Sequence, residues 1–126
     1  MTQDSFSPEL RWAIEAALNK KAAAVTVLDL RKLSAFADYF LICSGTSSRQ
    51  IQAISQEIEE QLARRGVALA HREGYDNAEW VLLDYRDLIV HIFSERARLY
   101  YDLERLWRAA HRTEIPEGGV SGASTR

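Results

Sequence analysis

Cysteine is nearly missing from this chain, and two kinds of architecture go with it. Cys43 is the only one, so neither an internal disulfide nor a cysteine-based zinc site is open to it. A basic excess is missing too: sixteen lysines and arginines stand against eighteen acids, a net charge of −2. Nonspecific nucleic-acid binders carry a clear positive excess, so direct nucleic-acid specificity is not expected, while a basic protein stays open as partner. No apolar run in the sequence comes near the ~20 residues that cross a bilayer. The opening MTQDSF has neither an apolar signal core nor the Arg-rich character of a transit peptide. A cytoplasmic domain with no membrane contact is the expectation. What is present suits a single domain: 126 residues, 47% apolar and 27% charged, enough to bury roughly two-thirds of the unfolded surface without staples.

Ser7-Pro8-Glu9 reads as a helix start, with Ser as cap, Pro at the first position and an acid in the first turn. Leu10, Ile14, Ala17 and Leu18 carry that helix to about Lys21. Residues 23–30 (AAVTVLDL) and 39–44 (YFLICS) read as strands, the second apolar on both faces as a central strand should be. At residues 45–50 the chain turns: Ser47 and Gln50 have capping-box spacing. Ile51, Ile54, Ile58 and Leu62 mark one face of a helix that Gly66 stops. That helix is long enough for a right-handed crossover, so a third strand at residues 67–72 should run parallel to the second. Residues 79–85 and 88–93 predict an antiparallel hairpin around Arg86-Asp87. Ser94 caps a last helix carrying Leu99, Leu103, Leu106, Trp107 and Ala110. The order α-β-β-α-β-β-β-α predicts an α+β fold, one mixed five-stranded sheet with flanking helices. Beyond that helix, residues 112–126 read as a disordered tail rich in Gly and Ser.

Three sets of residues have the chemistry of a site. The SGTSS turn offers N–H groups and hydroxyls at a helix start, where an anion can bind. It lacks the lysine and spacing of a P-loop, and Ser47 with Gln50 equally well just cap the helix. A strand, a Gly-Ser turn and a helix followed by paired acids is the nucleotidyltransferase pattern, with the acids holding magnesium. Asp29, Asp38 and Asp84 lie near strand ends, but VALAHR contains no carboxylate and Asp84 stands alone in its strand. Solvated acids are therefore expected, and no metal or other cofactor. His71, His91 and His111 form no i, i+4 pair; His91 alternates with Ile89 and Phe93 and reads as a partly buried, hydrogen-bonded histidine. No nucleophile and orienting acid accompany it, so no catalytic residues are assigned. Cys43, inside an apolar strand, reads as a small core hydrophobe.

Residues 72–87 are more informative, with Glu73, Asp76, Glu79, Asp84 and Asp87 against Arg72 and Arg86 alone. Tyr75, Trp80 and Tyr85 are interleaved with these acids. Aromatic anchors within a same-sign surround are how a protein interface combines buried area with steering. Alternation puts Trp80, Leu82 and Asp84 on one strand face and Val81, Leu83 and Tyr85 on the other. One face must pack under helices. The other is left for a partner, unless Trp80 or Tyr85 belongs to the core and the acids are ordinary solvating residues.

At these residues the sequence resembles the ribosomal silencing factor family, RsfS, also called the Iojap family. The matching blocks are DYFLICSGTSSRQIQAI at residues 38–54, EGYDNAEWVLLDYRDLIVHIF at 73–93 and YYDLERLW at 100–107. With their spacers they cover roughly residues 12–108, and define an RsfS/Iojap-like domain at 7–111. The resemblance implies a nucleotidyltransferase-like fold without catalytic acids, hence a factor that is not an enzyme. It implies binding to the large ribosomal subunit through ribosomal protein L-fourteen, a block to subunit joining, and a homodimer when free. By resemblance Trp80 is the partner-binding anchor, with Leu82, Asp84, Tyr85 and Asp87 around it and Glu79 at the rim. Tyr100, Tyr101 and Trp107 are expected to fix the last helix to the sheet, a dimer contact being the alternative. The competing expectation is a nucleotidyltransferase-type enzyme using the SGTSS turn and Asp84 as metal ligand.

Overall fold

In the computed structural model, which describes residues 5–117, the chain begins where its first cap predicts. The Ser7 hydroxyl accepts the Leu10 N–H at 3.3 Å and starts α1, Pro8–Asn19. Strands β1 (Ala23–Asp29) and β2 (Tyr39–Gly45) pair antiparallel. Helix α2, Ser48–Arg64, buries Ile51, Ile54, Ile58 and Leu62, the four residues its apolar spacing marks. Strands β3 (His71–Glu73), β4 (Trp80–Asp84) and β5 (Leu88–Ser94) follow. Short helices α3 (Glu95–Tyr101) and α4 (Leu103–Leu106) precede β6 (His111–Glu114).

The sheet order is β3-β4-β5-β2-β1-β6. The β4–β5 hairpin forms as predicted, with Trp80 opposite Phe93, Leu82 opposite His91 and Asp84 opposite Ile89. Arg86 makes its turn with a left-handed φ of 75°, and the Asp84 carboxylate accepts the Arg86 N–H at 2.7 Å. β5 is parallel to β2, and β3 is antiparallel to β4. The third strand therefore does run in the same sense as the second, but with the hairpin inserted between them. It is also shorter than residues 67–72 suggested, because Val67 and Leu69 pack on the core from an irregular approach.

Six strands form the sheet, not five. His-Arg-Thr-Glu has no apolar alternation, so nothing in its composition marks a strand. The free edge of β1 places it, by antiparallel pairing of Asp29 with His111 through Thr26 with Glu114. Ile115 then buries its side chain and donates its N–H to the Val25 carbonyl at 2.9 Å. The segment read as a tail from residue 112 thus opens as strand, while residues 118–126 lie outside the described residues. The last helix also departs from expectation. Asp102 takes a left-handed φ of 51° and splits it into α3 and α4.

Two cores result. Helices α1 and α2 cover one face, against Val27, Leu41, Cys43, Val81, Leu83 and Val90. On the other face Ala97, Leu103, Trp107 and Ala110 cover Leu28, Ile42 and Phe93. With seven and four residues, α3 and α4 are too short to roof the whole of that second face. Gly74 sets the corner where β3 leads to β4: its φ is 80°, and a Cβ there would lie 2.1 Å from the Trp80 carbonyl oxygen. Gly74→Ala is expected to lower the unfolding free energy by about 2 kcal/mol or more, read as a lower urea midpoint.

A candidate partner-binding face

The open part of the second sheet face is built in rows. Trp80 lies beside Phe93, Leu82 beside His91, and Asp84 beside Ile89; one strand further, Phe40 lies beside Ile89. Trp80, Leu82, Ile89 and Phe40 are each half-buried, so this face leaves apolar surface uncovered, with half-buried Asp84 at its edge. Tyr101 supports Trp80 from α3 at 4.5 Å between ring centroids, and Phe93 from the neighbouring strand at 5.0 Å. Trp107 meets the Phe40 ring edge-on at 5.7 Å.

The central fixture is a hydrogen bond. The Trp80 indole Nε1–H donates to Nδ1 of His91 at 3.0 Å, which assigns the remaining imidazole proton to Nε2. His91 is 4% exposed, and its Nε2 has no hydrogen-bond partner among the described residues. Burial pushes its pKa down to about 4, so the ring is neutral and remains an acceptor for Trp80 at neutral pH.

Arg98 holds the roof in place. Its guanidinium donates to the Ala24 carbonyl at 2.8 Å, to Ser44 Oγ at 3.0 Å and to Thr26 Oγ1 at 3.1 Å. Glu104 closes the set with an ion pair at 2.6 Å, both side chains being nearly buried. This network ties α3 and α4 to β1 and β2, and so keeps Tyr101 on Trp80. Sequence spacing missed it, because Arg98 and its strand partners are more than fifty residues apart.

The expected site residues do not all meet on this face. Trp80, Leu82 and Asp84 share it, as alternation requires. Asp87 is exposed at the hairpin tip, its carbonyl accepting the Asp38 and Tyr39 N–H groups at 2.7 and 3.1 Å. Glu79 is exposed at the rim, held by the Ser94 hydroxyl at 2.7 Å. Tyr85 points the other way into the helix-covered core, 8% exposed, where burial raises its pKa to about 12. Tyr75 bonds α2 through Gln56 and lies under the Arg72 guanidinium. Of the three interleaved aromatics only Trp80 lies on the open face.

The SGTSS turn is occupied by its own chain. Ser47 Oγ accepts the Gln50 N–H at 3.1 Å, and Gln50 Oε1 accepts the Thr46 N–H at 2.7 Å. Gln50 Nε2 donates to the Lys20 and Lys21 carbonyls at 3.1 and 3.0 Å, bracing α2 on the end of α1. The enzyme alternative needs this turn beside Asp84. Gly45 pairs with Ser94 and Asp84 with Ile89, which puts them at opposite ends of β5, about 17 Å apart at ~3.3 Å per residue. Asp29 is engaged by Arg31 at 2.7 Å, a guanidinium that holds its carboxyl below the usual range. Among the described residues no three His, Cys, Asp or Glu converge as a metal site. Cys43 is buried and its thiol is pushed up to about 12 by burial, as a core hydrophobe's should be.

A model of the family described as ribosomal silencing factor during starvation, RsfS, matches residues 3–126, beyond both ends of the motif blocks. The chain is 42% identical over 112 residues to ribosomal silencing factor RsfS of Halalkalibacterium halodurans, covering 89% of this chain and 95% of that one. It is 42% identical over 109 residues to the Bacillus subtilis protein of the same name, covering 86% and 92%. A crystal structure of a Chromobacterium violaceum protein superimposes with a TM-score of 0.77 at 34% identity, over 79% of this chain and 82% of that chain.

Proposed function

The chain belongs to the ribosomal silencing factor family, and from that premise we propose that it binds the large ribosomal subunit through ribosomal protein L-fourteen and blocks subunit joining. Membership carries a ribosome-associated, translation-regulating role. The observation that supports the finer reading is the half-buried Trp80–Leu82 face with Asp84, Asp87 and Glu79 about it. Such a surface suits a basic ribosomal protein: the rings and Leu82 bury area while the carboxylates steer the encounter.

The mechanism is exclusion by volume. A rigid domain seated on the intersubunit face occupies space that the small subunit needs, and no reaction or cofactor enters. Binding competes with joining, so repression follows the factor's concentration relative to its dissociation constant. The ribosome's location makes the cytoplasm its place of action in a bacterial cell, and a homodimer of the free protein completes the reading. The test is co-sedimentation with purified large subunits, followed by the yield of joined ribosomes after small subunits are added. Stoichiometric binding and a dose-dependent fall in joined particles are expected; undiminished joining at saturating factor would refute the proposal.

A further inference from the structure

We propose that α3 and α4 form a second contact with the large subunit, and that its partner is RNA. The proposal rests on the docking reading above and adds a surface which that reading leaves unused. Leu99 is 81% exposed, Tyr100 80%, Leu106 72% and Tyr101 49%. The Tyr100 and Tyr101 rings meet edge-on at 5.0 Å with their planes at 90°, and Tyr101 in turn packs on Trp80. The aromatic surface therefore runs without a break from the candidate face onto α3.

Arginines flank this tyrosine pair on both sides. Arg96 shares one groove with Tyr100, Tyr101, Asn77 and Glu79. Arg105 and Arg108 line the groove on the other side, where Asp102 is the one carboxylate. Arg98 pairs with Glu104, and Arg112 with Glu104 and Glu114, whereas Arg96, Arg105 and Arg108 belong to none of the ion pairs among the described residues.

The two halves of the surface thus differ in sign. The hairpin half presents Glu79, Asp84 and Asp87; the helical half presents Arg96, Arg105 and Arg108 beside exposed rings, an arginine excess over its own Glu95 and Asp102. A uniformly basic partner would suit only the first half, and a uniformly anionic one only the second. A boundary between a basic protein and RNA suits both. Exposed tyrosines are stacking platforms for unpaired bases, and guanidinium forks match phosphate oxygens. A net charge of −2 is then the sum of two unlike regions, and excludes a nonspecific RNA binder without excluding a local RNA contact.

The experiment uses the full chain with two probes, purified large ribosomal subunits and isolated ribosomal protein L-fourteen. Two variants are compared with the parent, one combining Arg96→Ala, Arg105→Ala and Arg108→Ala, the other Tyr100→Ala. The triple variant should bind subunits about tenfold more weakly or worse, and its log–log salt slope should flatten by about one for each arginine–phosphate pair removed. Its affinity for L-fourteen should stay unchanged, as should its unfolding midpoint. Ultraviolet crosslinking of the parent to subunits should give adducts that ribonuclease removes and that Tyr100→Ala depletes. Parental affinity and slope in the triple variant would overturn the RNA contact alone and leave the docking reading standing. Equal loss toward isolated L-fourteen, or adducts that only protease removes, would overturn it in favour of an acidic protein partner. A parent chain that binds neither probe would overturn the docking reading itself.

Discussion

Replacing Trp80 with glutamate is expected to weaken binding to large ribosomal subunits by at least about a hundredfold, the effect of losing a central interface anchor, and to abolish the block to subunit joining. Trp80 supplies an indole ring to the open face and is held there by His91, Phe93 and Tyr101. A glutamate there sets a carboxylate among rings and leaves the His91 acceptor unpaired, so part of the effect falls on the fold. Two further variants separate the contributions. Trp80→Phe keeps the apolar ring but lacks the indole N–H, and should retain most of the binding while losing some stability. Asp87→Lys changes only an exposed tip charge and should slow association and weaken binding about tenfold without moving the unfolding midpoint. Normal subunit binding by Trp80→Glu in a folded protein would remove Trp80 from the site.

Acid should destabilise the domain through His91 before most carboxylates titrate. The folded-state pKa is depressed from 6.5 to about 4 by burial, so the unfolded chain takes up a proton that the folded one refuses. The stabilisation is therefore complete above about pH 6.5, declines as pH falls from there to about 4 and is lost below, a change of up to about 3 kcal/mol for a shift of this size. Protonation also puts a hydrogen on Nδ1, facing the indole N–H, and the Trp80 bond is lost with it. Urea unfolding at several pH values between 7 and 4 reads the slope. His91→Asn, whose side-chain oxygen can take the place of Nδ1, should be less stable at neutral pH but nearly flat across that window. Asp29 and Glu57, whose carboxyls are held below their ordinary values of 3.8 and 4.5 by Arg31 and by Gln61, begin to lose their contribution only at those values and so touch just the acid end of the His91 window. A parental slope in His91→Asn would place the acid sensitivity elsewhere.

Most of the elements were legible because their signals are local. The caps at Ser7, Ser47 and Ser94 and the apolar stripe of α2 are read from neighbours within a turn or two. The resemblance of three spaced blocks led to the family. The misreadings came where the decisive interaction was distant. β6 exists because β1 has a free edge. The interleaving of Tyr75, Trp80 and Tyr85 suggested one aromatic patch, yet the sheet and its helices send the three to different places.

By itself the sequence determined which residues share a strand face, because side chains alternate with period two whatever surrounds them. It determined the hairpin as well, and the absence of a basic excess. Which of two similar apolar faces stays open was decided by tertiary structure alone. Helices α1 and α2 cover the Val81 and Leu83 side, while α3, broken at Asp102, is too short to cover the Leu82 side. The pairing of Trp80 with His91 needed the strand register too, since residues eleven apart in the chain meet only after the turn has set which lies opposite which.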